Sequence, residues 1–68
     1  MNETKLRNIM RSKGVKVNAM VEKLGISRTA FWRKCKGISE FTRREMEIIV
    51  RELQLERPGE VFFDTEVS

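Results

Sequence analysis

Between residues 27 and 44 the chain carries Ser27, Arg28, Thr29, Trp32, Arg33, Lys36, Ser39, Arg43 and Arg44, and only one acid, Glu40. What such side chains do is non-covalent. Guanidinium and ammonium groups donate hydrogen bonds to anions, hydroxyls donate or accept, and an arginine can grip a phosphate or a guanine edge with two N–H groups at once. Covalent chemistry is poorly supplied. The chain has no histidine, no nucleophile beside a base and no glycine-rich phosphate loop, so no enzyme is expected. One cysteine without histidine gives no zinc site and no disulfide framework, and no cofactor is implied.

The charge is unevenly divided. Residues 1–44 hold twelve of the fourteen Lys and Arg against Glu3, Glu22 and Glu40, a net +9, whereas residues 45–68 hold Arg51 and Arg57 against seven acids, a net −5. A basic face with an acidic end is the footprint of a polyanion binder, and ordinary scatter of surface charge is the plainer alternative. Sixty-eight residues, 40% hydrophobic and 35% charged, fit one small globular domain rather than a disordered chain. No apolar run approaches the ~18 residues of a membrane span, and the N-terminus lacks a signal-peptide pattern. The chain is therefore expected to be cytoplasmic, without a membrane partner. Opening on Met1, it is also expected to hold no further domain.

Four helical patterns must position the basic residues. The first, near Asn2 to Lys13, has Leu6, Ile9 and Met10 on one face, Asn2 as its cap and Gly14 as its stop. A short second pattern, Asn18 to Leu24, turns Met20, Val21 and Leu24 inward. The third starts after Ser27 and ends at Gly37. The fourth opens on a capping box, Thr42 with Glu45, flanked by Phe41 and Met46 at the positions of a hydrophobic staple. Met46, Ile49, Val50 and Leu53 then form one apolar stripe. Glu60-Val61-Phe62-Phe63 fits either one more helical turn or a short extended segment. Residues 64–68 are expected to form a frayed acidic tail beyond a single domain of residues 1–63.

The link Gly25-Ile26-Ser27 carries the organisation. Glycine permits the sharp turn, Ile26 plugs it into the core, and Ser27 restarts the chain as a cap, which is the logic of a helix-turn-helix. At about 100° per residue, with Phe31 at zero, Cys35 falls near ~40°, Lys34 near −60° and Trp32 near ~100°. On the same scale Lys36, Thr29 and Arg33 fall between about 140° and 200°. Phe31 and Cys35 face the core, Thr29, Arg33 and Lys36 share the outer face, and Trp32 lies at the boundary. Cys35 reads as a small core residue rather than a redox sensor, and Met10, Met20 and Met46 read as core filler. Arg43 and Arg44 oppose the dipole at the start of their helix, so a phosphate there is favoured over chance placement.

Residues 17–37 resemble the helix-turn-helix of the lambda-repressor-like, Cro and XRE family of DNA-binding proteins. The run Glu22-Lys23-Leu24-Gly25-Ile26-Ser27 matches that family's turn, and Gly37 matches the glycine closing its third helix. Ser39-Glu40-Phe41-Thr42 before an amphipathic helix, and Phe62-Phe63 near the end, are similar to small phage and mobile-element regulators, so the resemblance spans residues 4–63. It implies an all-α, compact bundle of four to five helices that binds double-stranded DNA. It places base or groove contacts on Ser27, Arg28, Thr29, Trp32 and Arg33. Lys36 suits a phosphate, Ser39 a hydroxyl or amide contact, and Lys34 reads as solvated or near the backbone. The family often has Gln at the start of its second helix for a phosphate contact; here Asn18 stands in for part of it. For Trp32, packing on a neighbouring loop weighs the same as touching a sugar or thymine methyl.

The resulting expectation is a sequence-specific transcriptional regulator, of the phage or mobile-element repressor type, acting by occupying its operator at the nucleoid. So small a module is expected to pair on a two-fold operator. Val61, Phe62 and Phe63 are candidates for the dimer contact, with packing onto the domain's own core weighed at least as heavily. The alternative is a protein-interaction module, an antirepressor or antitoxin-like partner, in which the acidic half and the Phe pair matter most.

Overall fold

Residues 2–63 are described by a computed structural model, which contains five helices and, among the described residues, no strand. They are α1 (Glu3–Lys13), α2 (Val17–Leu24), α3 (Arg28–Cys35), α4 (Arg43–Leu53) and α5 (Gly59–Phe62). The expected acidic tail, residues 64–68, lies outside the described residues. The protein is thus an all-α bundle at the five-helix end of the expected range.

Local chemistry accounts for most helix ends. The Asn2 side chain accepts from the Lys5 amide at 3.0 Å, and Ser27 Oγ accepts from the Ala30 amide at 3.0 Å. At α4 the Glu45 amide donates to Thr42 Oγ1 at 3.1 Å and the Thr42 amide donates to Glu45 Oε1 at 2.9 Å, closing the capping box. Each such cap is worth about 1 kcal/mol. Helix α2 starts one residue earlier than its pattern suggested and has no side-chain cap at Lys16. Helix α3 stops at Cys35, not Gly37. Gly37 takes φ +83° beyond it, and the following Ile38 amide donates back to the Arg33 carbonyl at 2.9 Å.

One core holds the helices together: Leu6 and Met10 from α1, Met20, Val21 and Leu24 from α2, Phe31 and Cys35 from α3, Ile49 and Leu53 from α4, and Val61 from α5. Helix α4 packs on α2 and α1, α3 on α2, and α5 folds back on α1. The Asn2 amide donates to the Val61 carbonyl at 2.8 Å, and Lys5 pairs with Glu60. The segment from Glu60 to Phe62 is therefore helical, and Phe63 alone is extended.

Two expectations are corrected here, for α4 and for Lys34, and one open alternative, for Val61, is decided. The buried face of α4 runs through Glu45, Ile49 and Leu53. Met46 and Val50 are only half-buried, and they turn toward Pro58, Phe62 and Phe63 along an apolar groove. Met46 is accordingly not core filler. Lys34 is not solvated: with its side chain 14% exposed it pairs with Glu45, whose own side chain is 12% exposed. Val61, 1% exposed, is spent on the domain's own core and is unavailable to a second copy.

Helix α4 ends on Gln54 in the left-handed region, φ +52°, where a side chain is disfavoured. Gln54→Gly is expected to stabilise the fold by up to about 1 kcal/mol, the relief of that strain less the extra freedom glycine has when unfolded. A rise in melting temperature without change in helical content would be the measurement.

Candidate nucleic-acid interface

The turn between α2 and α3 fixes the direction in which α3 is presented. Gly25 takes φ +72°, and its amide donates to the Val21 carbonyl at 2.8 Å, with the Ile26 amide on the same carbonyl at 3.2 Å. A residue with Cβ is strained in that conformation. Ile26 packs against the core from the turn, and Ser27 then caps α3.

Helix α3 is two-sided. Phe31 and Cys35 are 1% and 2% exposed, whereas Ser27, Arg28, Thr29, Arg33 and Lys36 are all exposed. Among the described residues, Arg28, Arg33 and Lys36 have no ion-pair partner. The apolar side anchors the helix and leaves a row of uncompensated cations outside. Ser39 is held at the same end, because its amide donates to the Arg33 carbonyl at 3.3 Å.

Arg43 and Arg44 are exposed in the first turn of α4. Arg43 lies 3.5 Å from Glu47 but remains 90% exposed, and Arg44 has no ion-pair partner among the described residues. The Lys34–Glu45 pair ties that turn to α3 and so links the two basic segments. Asn18 is exposed in the first turn of α2, in a shallow hollow with Lys16, Ala19 and Glu22.

Trp32 is half-buried against the domain, not a free side chain of the outer face. Its ring meets Phe31 edge-on at 5.4 Å, and the Arg7 guanidinium from α1 lies 4.8 Å from its centroid. It packs on a helix rather than on the loop that sequence reasoning offered. Burial, then the nearby Glu3 carboxylate, pushes the Cys35 thiol up to about 12, so it stays protonated and unreactive.

Two residues of this surface were missed from sequence. Arg7 belongs to α1 and is joined to α3 only by packing across 25 positions, which no local pattern reveals. Ile38, 67% exposed, sits beside Gly37 and Ser39; an apolar residue just past a helix stop was the available signal.

The apolar groove lined by Met46, Val50, Pro58, Phe62 and Phe63 adjoins the first turn of α4, with Arg43 on its rim. Phe62 is half-buried and edge-on to Phe41 at 6.0 Å, while Phe63 is 58% exposed. Among the described residues no helix is long and apolar enough to cross a membrane. No family model matches the chain, and no curated protein or solved structure matches it either.

Proposed function

We propose that the chain is a sequence-specific, duplex-DNA-binding transcriptional regulator with a lambda-repressor-like helix-turn-helix, a repressor acting by operator occupancy. One observation carries the reading: α3 commits Phe31 and Cys35 to the core and leaves Arg28, Thr29, Arg33 and Lys36 exposed behind a fixed turn. Early residues of such a helix reach base edges in the major groove, while the later lysine meets phosphate. Arg43, Arg44, Ser39 and Asn18 add backbone contacts at its margins. The test is selection of bound sequences from random duplexes at stated salt. Enrichment of a defined site, with affinity falling steeply as salt rises, supports the reading. Lys36→Ala is expected to weaken all sequences alike and to lower the salt slope by about one.

Pairing on a two-fold site is part of this proposal. With Val61 buried, the surface left for a second copy is Phe63 with Met46, Val50 and Phe62. Arg43, Glu47 and Arg51 also line the groove, so its rim does not present one sign of charge alone to a second copy. Phe63→Glu is expected to leave the monomer folded and to abolish pairing, read by sedimentation with and without a two-site duplex. The same exposed Phe63 favours the second reading, an antirepressor or antitoxin-like interaction module. That reading predicts no enriched DNA site and a partner affinity nearly indifferent to salt.

A further inference from the structure

In sequence Trp32 has Arg28 four residues before it, at the start of α3, and Lys36, the residue that caps α3, four residues after it, the i ± 4 neighbours of a helix. The Arg7 guanidinium lies over its ring from α1 at 4.8 Å. One cation, Arg7, is thus brought onto the indole from a second helix. The ring itself is held in place by the edge-on contact with Phe31. Arg7 is not consumed by packing: its side chain is 59% exposed, and its one acidic neighbour among the described ion pairs, Glu3, stands at 3.8 Å.

We infer that Arg7 is a DNA-backbone contact and that Trp32 is its positioning residue, a fixed platform rather than a base-reading side chain. The inference rests on the duplex-binding reading and deepens it. A guanidinium stacked on an aromatic face keeps its N–H fork free at the rim, so the stack and a bidentate phosphate contact are made together. Packing restricts where the group points, so less freedom remains to be lost when phosphate arrives. Glu3 competes for the same N–H groups. At 3.8 Å it holds Arg7 weakly and yields to a phosphate, whose negative charge stands in its place.

The experiment measures binding of a random-sequence DNA duplex across a salt series, which isolates backbone contacts from base reading. Arg7→Gln is expected to weaken binding roughly tenfold and to lower the salt slope by about one. Glu3→Gln is expected to tighten it two- to threefold (a purely structural Glu3 would leave affinity unchanged or reduce it). Trp32→Leu is expected to weaken binding in the parent chain and to have no further effect once Arg7 is Gln, the non-additivity of two residues acting as one. Melting curves of each variant confirm folding; for Trp32, the half-buried position, Trp32→Phe provides a second platform variant, expected to keep most of the affinity. If Arg7→Gln binds as the parent does while Lys36→Ala is impaired, the Arg7 inference is overturned and the duplex-binding reading stands. Absence of any duplex binding by the parent overturns both. Independent, additive losses at Arg7 and Trp32 overturn the platform.

Discussion

A chain carrying both Arg28→Ala and Arg33→Ala is expected to lose at least about thirtyfold in affinity for its selected site. A bidentate arginine–base contact discriminates by about 1–3 kcal/mol, and two such contacts compound. Random-sequence duplexes should be affected much less, since they lose only the contribution of two charges. The ratio between the two affinities is therefore the informative quantity, measured at one stated salt concentration. Stability is not expected to follow. Both side chains are exposed and neither has an ion-pair partner among the described residues, and substitutions of that kind usually fall within about 0.5 kcal/mol. A double variant that melts normally and still prefers the selected site would remove α3's outer face as the reading surface. One that loses both affinities equally would turn Arg28 and Arg33 into backbone contacts.

The capped helix starts and the turn behind that surface were legible because they are set locally. Asn2, Ser27 and Thr42 each satisfy an amide three residues ahead, and Gly25 takes the left-handed turn that a sharp reversal needs. The same holds for the two sides of α3, where rotation about one helix axis separates Phe31 and Cys35 from Arg33 and Lys36. What periodicity could not supply was the choice between two overlapping stripes on α4. Ile49 and Leu53 belong to both, joined either by Met46 and Val50 or by Glu45 and Ile48. An apolar count selects the first pair. The fold selects the second, because Glu45 is drawn inward by Lys34, and α5 with Phe62 comes to lie along the Met46–Val50 flank.

Lys34 shows a signal that was present and underweighted. Its angular position lies nearer to Phe31 than to Arg33, which already places its stem on the inner side. Charge type suggested solvent, but a lysine can bury its methylenes and keep its ammonium on a carboxylate. The Arg7–Trp32 contact had no such signal. It joins α1 to α3, and its existence depends on how the two helices pack, which is a property of the whole core rather than of either segment.

Glu45 should be the most sensitive polar position for stability. Its carboxylate serves two helices at once: Oε1 accepts from the Thr42 amide and from Lys34 Nζ. Glu45→Ala leaves the ammonium of a nearly buried lysine and a cap amide unanswered, a defect expected to cost about 3–4 kcal/mol. For a domain this small that is a large share of the total, since native stabilities are about 5–15 kcal/mol. Glu45→Gln should cost less, because an amide oxygen can still accept from Thr42. Adding Lys34→Met to Glu45→Gln should recover much of the loss, as the buried charge is then gone. The pH dependence has a definite sign. Burial pushes the Glu45 carboxyl up, but the Lys34 and Thr42 hydrogen bonds and the Lys34 charge outweigh it, and the group sits below its ordinary value of 4.5. A depressed carboxylate contributes stability that is complete above that ordinary value and is lost as pH falls through the lower folded one. The parent should therefore lose more melting temperature on acidification below pH 4.5 than the Glu45→Gln/Lys34→Met chain does. Equal losses in the two would assign the acid sensitivity to other carboxylates. The pair also hangs Arg43 and Arg44 on α3, so Glu45→Gln is expected to weaken duplex binding at neutral pH even where the chain remains folded, while the doubly neutral chain recovers stability faster than affinity.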